Sequence, residues 1–167
     1  MMPKTLPAAF YETLQEEISL SEELLRLLAQ EKTALIGMEM EPLVALSGKK
    51  AILVGRLQTM DARLQELARS FTGAPAEETV RLRALAAQLE GEEAKKVESH
   101  RARIAALREE IVARTVINKG FSAEINRFLN DAISTITSAV AERPMYSRGR
   151  GFAKPSLSQP SLISREV

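Results

Sequence analysis

The chain lacks cysteine and tryptophan altogether and carries one histidine, His100, in 167 residues. Without thiols there is no disulfide, no thiolate nucleophile and no thiolate metal site, which agrees with a reducing compartment. One histidine cannot supply the two Glu-x-x-His pairs that carboxylate metal sites in helical bundles need, and Glu98 stands two residues from it, not three. Catalysis through serine–histidine or cysteine–histidine pairs fails for the same shortage. Gly48-Lys49-Lys50 lacks the upstream glycine, the hydroxyl residue and the preceding strand of a phosphate loop. A net charge of +1 gives no whole-molecule field toward nucleic acid or acidic lipid. No apolar run approaches the roughly 18 residues of a membrane span. The opening MMPKTLPAAFYETLQEE turns acidic without a signal peptide's apolar core. The expectation is a soluble cytoplasmic protein with no catalytic site, metal or cofactor.

What is present is Leu, Ala, Glu and Arg at helical spacing, with 45% hydrophobic and 27% charged residues. Aromatics at 4% point to helices that pack through narrow stripes, not to a thick mixed core. The spacing predicts a first helix from Pro7, whose fixed φ suits a helix start. Its stripe is Leu14, Ile18, Leu25, Leu28 and Leu35, widened by Leu20, Leu24 and Leu27, with Ser21 and Lys32 at polar steps, and Gly37 is expected to close it in the left-handed conformation. A second helix keeps strict three-four spacing through Leu43, Leu46, Lys50, Leu53, Leu57, Met60, Leu64, Leu67 and Phe71. That is a coiled-coil seam, with Lys50 as a register-setting polar member. A short loop makes the first helix its antiparallel partner, with arms of about 45 Å. Glu77 and Glu78, after Gly73 and Pro75, are expected in the first turn of a long third segment. Its stripe fades near Gly91, where a break is expected, and Gly120 is a possible kink. The fold class is therefore all-α: an antiparallel bundle built on a long hairpin plus a third helical segment. Residues 6–142 form one domain, and 143–167 form a basic, Ser/Pro-rich tail that is disordered by composition.

The candidate site is where the charges stop. Phe121, Ile125, Phe128, Leu129, Ile133, Ile136 and Val140 cover an arc of about 140° at 100° per residue, wider than a two-helix seam requires. Ser134, Thr135 and Ser138 occupy the opposite face where Lys and Glu would normally stand. The density of β-branched residues lowers intrinsic helix stability, so packing must hold the segment. Two readings fit: the strip closes a core within the molecule, or it is a surface awaiting a partner helix. Periodicity alone does not choose between them. Beyond Pro144, Tyr146 stands beside Arg148 and Arg150.

These features, in their order, resemble the FlgN family of flagellar export chaperones. The resemblance rests on ALIGMEMEPLVALSGKKAILVGRL across the hairpin, on INKGFSAEINRFLNDAI in the last helix, and on Tyr146 followed by Gly149 and Arg150. Two residues separate Tyr146 from Gly149 where the family more often has three. Asn118 is the one clear member of the family's two-Asn signature. The resemblance implies a chaperone that binds the C-terminal helices of the hook–filament junction proteins FlgK and FlgL and delivers them to the export gate protein FlhA. It places the client on the strip from Phe121 to Val140 and gate docking at Tyr146, flanked by Arg148 and Arg150. The rival readings are a self-associating coiled-coil scaffold and a helical nucleic-acid binder using the basic tail; the latter would bind with steep salt dependence.

Overall fold

Pro7 precedes the first helix of the computed structural model, which describes residues 5–141. Helices α1 (Ala8–Ile36) and α2 (Met40–Thr72) are joined by Gly37–Glu39 and pack antiparallel along most of their length. A five-residue helix, α3 (Leu82–Ala86), follows, and then α4 (Gly91–Ala141). The described residues contain only helices and loops, an all-α bundle. Two contact units divide the chain, Met1–Leu129 and Asn130–Val167; the described part of the second, residues 130–141, is the helical end of α4. No helix among the described residues is long and apolar enough to cross a membrane.

The α2 seam is as the spacing predicts. Leu46, Leu53 and Leu64 are buried, the other six members are half-buried, and Val44, Ile52 and Val54 between them face outward. On α1 a second buried row, Phe10, Thr13, Glu17, Leu24, Leu27 and Ala34, lies beside the expected stripe. Within the first unit α4 runs parallel to α1, since Arg108 meets Glu17, Asn118 meets Leu28 and Phe121 meets Lys32. Val97, Ile104 and Leu107 join Phe10, Leu14, Leu64 and Ala68 in one core cluster, and Ile111 packs against a second built on Leu20, Leu24, Leu28, Leu46 and Leu53.

Two expectations about chain punctuation need correction. α1 does not end on a left-handed glycine: Gly37 has φ −77° and Met38 has φ +52°. The Glu39 N–H donates to Ala34 O at 2.9 Å and the Met38 N–H to Leu35 O at 3.1 Å, so the left-handed residue of this C-cap is Met38. Gly37 serves for room instead, since a Cβ there would stand 3.2 Å from the Glu39 Cγ. Glu77 and Glu78 are not in a helical first turn; residues 74–81 form an irregular strap before α3. α4 runs unbroken through Gly120. The expected break near Gly91 is present: Gly91 takes φ +62° and opens α4, and the left-handed closure falls on Gly73 at φ +73°.

Side chains of α2 hold the strap. Gln65 accepts the Val80 N–H at 2.9 Å and donates to the Val80 carbonyl at 3.1 Å, pinning a residue whose side chain sits in the first core cluster. Arg69 adds a bond to the Ala76 carbonyl at 2.7 Å. Gln65→Ala leaves both backbone groups of a nearly buried residue without partners, at about 1–3 kcal/mol. The expected result is a lower denaturation midpoint, with the Val80 amide exchanging faster than those of the α2 seam; unchanged exchange at Val80 would contradict the pinning role.

Candidate functional site

Two polar nodes join α4 to the hairpin within the first unit. At the first, Arg108 of α4 reaches Glu17 of α1 at 2.6 Å and Asp61 of α2 at 3.1 Å. The Glu17 side chain is only 3% exposed. Burial works against the Arg108 charge, but the bonds to Glu17 and then Asp61 outweigh it and raise its pKa, so the guanidinium stays charged. At the second, Asn118 is buried; its Nδ2 donates to the Leu28 carbonyl at 2.9 Å and to Glu31 at 2.7 Å. The other Glu31 oxygen accepts from Lys50. One carboxylate thus ties α1 to both α2 and α4. The seam lysine meets Glu31 across the hairpin, and Asn118 is the buried polar residue of α4 that reaches the same carboxylate.

Other charged groups pair between the helices, Arg56 with Glu16 and Arg103 with Glu22 among them. A cavity of about 450 Å³ lies between the strap, α2 and α4, and Glu17, Asp61, Arg101 and Arg108 are on its wall. Three of these are already joined in the Arg108 node, and Arg101 pairs with Glu98. His100 has its Nδ1 2.8 Å from the Lys96 carbonyl of its own helix, and its ring lies 6.3 Å from Tyr11. Among the described residues no three His, Asp or Glu side chains converge as a metal site would require.

The seven strip residues divide in two. Phe121 and Ile125 are half-buried, and the Lys32 ammonium lies 5.8 Å from the Phe121 ring centroid. Lys32, a polar step in the α1 stripe, is thereby used against α4. The other five are surface: Phe128 is 61% exposed, Leu129 42%, Ile133 58%, Ile136 63% and Val140 65%. Among the described residues these five are not core. Single exposed aliphatics are ordinary, but five on one stretch of helix whose sole charge is Asp131 are not. Two of the hydroxyls beside them are satisfied locally, since Thr135 Oγ1 donates to the Asp131 carbonyl at 2.9 Å and Thr137 Oγ1 to the Ile133 carbonyl at 2.8 Å. Tyr146, Arg148 and Arg150 lie outside the described residues.

Sequence reading missed Glu17 and Glu31 as structural carboxylates. Both fall in runs that look like a solvated face, and only the spacing of Phe10, Thr13, Glu17, Leu24 and Leu27 hinted at a second buried row. The model of the FlgN protein family matches residues 1–151. No curated protein and no solved structure matches the chain.

Proposed function

Since the chain belongs to the FlgN family, and so to the flagellar export chaperones, we propose that it is cytoplasmic, that it binds the C-terminal helices of hook–filament junction proteins of the FlgK and FlgL type, and that it delivers them to an export gate of the FlhA type. The client lies along Phe128, Leu129, Ile133, Ile136 and Val140, with Phe121 and Ile125 at the bundle end of the strip. The observation that supports this most is the exposure of those five side chains on a helix segment almost free of charge. An amphipathic client helix needs an apolar stripe with few charges to desolvate. A junction-protein C-terminal peptide titrated into the chain should bind it and slow amide exchange across residues 125–141. Binding with protection confined to the hairpin would place the client elsewhere.

Gate docking is assigned to Tyr146. Aromatic anchors at interfaces commonly account for 2 kcal/mol or more when truncated. Tyr146→Ala should leave client affinity and melting intact and weaken capture of the chaperone–client complex by the gate's cytoplasmic domain at least about tenfold. Neutralising Arg148 and Arg150 should change association rate and salt dependence more than final affinity. Unchanged gate capture by the alanine variant would remove the assignment.

A further inference from the structure

We propose that in the absence of client the strip pairs with the strip of a second copy, antiparallel, in a weak dimer that client binding dissolves. The pairing is read from the strip itself; its displacement rests on the proposed client site.

The spacing of Leu129, Ile133, Ile136 and Val140 runs four, three, four. It reads the same in both directions, so two copies laid antiparallel match layer for layer: Leu129 against Val140 of the second copy and Ile133 against Ile136, each twice. Seam positions at this spacing are those that interlock between paired helices. All four side chains are exposed in the single chain, so no rearrangement is needed to present them. At 100° per residue, Ala132 and Ala139 flank the stripe on one side and Asn130 and Thr137 on the other. In an antiparallel pair each flank meets its own kind, Ala132 beside Ala139 of the second copy and Asn130 beside Thr137. None is charged, so pairing sets no like charges together, and all are short enough for axes at about 8 Å. The two alanines add apolar contact along one edge and have no side-chain donor to strand. On the other edge Thr137 keeps its hydroxyl bond to the Ile133 carbonyl, and Asn130, which is exposed, stands at the rim of the contact where water can reach its amide. A second copy brings neutral flanks to these neutral edges.

The size of the contact decides its strength. Four such layers bury roughly 900 Å² in total, below the ~1,200 Å² at which stable interfaces begin. A contact of this size belongs with weak, transient pairings. That is strong enough to cover the apolar stripe in concentrated solution and weak enough to yield to a client.

Because the natural chain has no cysteine, a disulfide between single introduced thiols reports position without background. The test uses full-length Ala132→Cys and Ala139→Cys proteins, oxidised separately and as a mixture, with sedimentation equilibrium of the unmodified chain alongside. The expected result is a concentration-dependent monomer–dimer equilibrium and mixed disulfide at least about fivefold above either variant alone. Ile136→Asp, at an exposed position, should abolish both while leaving thermal melting unchanged. A junction-protein C-terminal peptide that binds the chain should reduce the mixed disulfide about tenfold. A chain monomeric at all concentrations, or cross-linking without preference for the 132–139 pair, overturns the antiparallel dimer. A dimer that persists when the peptide is bound overturns the competition and moves the client site off the strip. A peptide that does not bind, with the dimer intact, overturns the proposed client and leaves the pairing standing.

Discussion

Ile133→Asp combined with Ile136→Asp should abolish binding of a junction-protein C-terminal helix while leaving the thermal midpoint within a few degrees of the natural chain. Both isoleucines are well exposed, 58% and 63%, so a carboxylate at either position stays hydrated in the free protein. Surface substitutions of this kind usually alter stability by less than about 0.5 kcal/mol. In the complex the same carboxylates would be buried against an apolar client face without a partner, at several kcal/mol each. A loss of about 4 kcal/mol is roughly a thousandfold in affinity. Calorimetric titration with the peptide and circular dichroism of the variant separate the two effects. If the variant unfolds, the strip is core; if it binds normally, the client lies elsewhere on the molecule.

Leu53→Asp should do the reverse, removing the fold and every activity that depends on it. Leu53 is 4% exposed in the middle of the α2 seam and belongs to the cluster of Leu20, Leu24, Leu27, Leu28, Ala34 and Leu46. No base in that cluster could pair with the new charge, and the leucine's own packing is lost as well. The two losses together should exceed about 4 kcal/mol, a large share of a marginal stability of ~5–15 kcal/mol. Loss of a cooperative thermal transition by circular dichroism is the expected outcome. A variant melting near the natural chain would show that α2 does not use this face to hold the hairpin. Ile52→Asp, one residue away and exposed, is the matched control and should melt normally.

Much of the molecule is determined by the sequence alone, because helical periodicity is a property of neighbouring residues. The nine-position α2 seam, the start of α1 after Pro7, the stop at Gly73 and the break at Gly91 follow from spacing and from what proline and glycine permit locally. So does the charge-poor strip, since the absence of Lys and Glu between Asp131 and Glu142 is visible without coordinates. What the tertiary structure decided is which groups from distant parts of the chain meet. Glu31 looks like one more solvated glutamate until Lys50, 19 residues away, and Asn118, 87 away, converge on it. Glu17 is buried because Arg108 arrives from 91 residues on, and Gln65 matters because the strap passes over it. Periodicity shows that the strip is apolar. It cannot show that Phe121 and Ile125 are partly covered while the remaining five residues are open, because coverage depends on which elements lie alongside. The left-handed residue after α1 is Met38 and not Gly37; the glycine instead gives room to Glu39 two residues on, a local contact that conformational preference alone does not reveal.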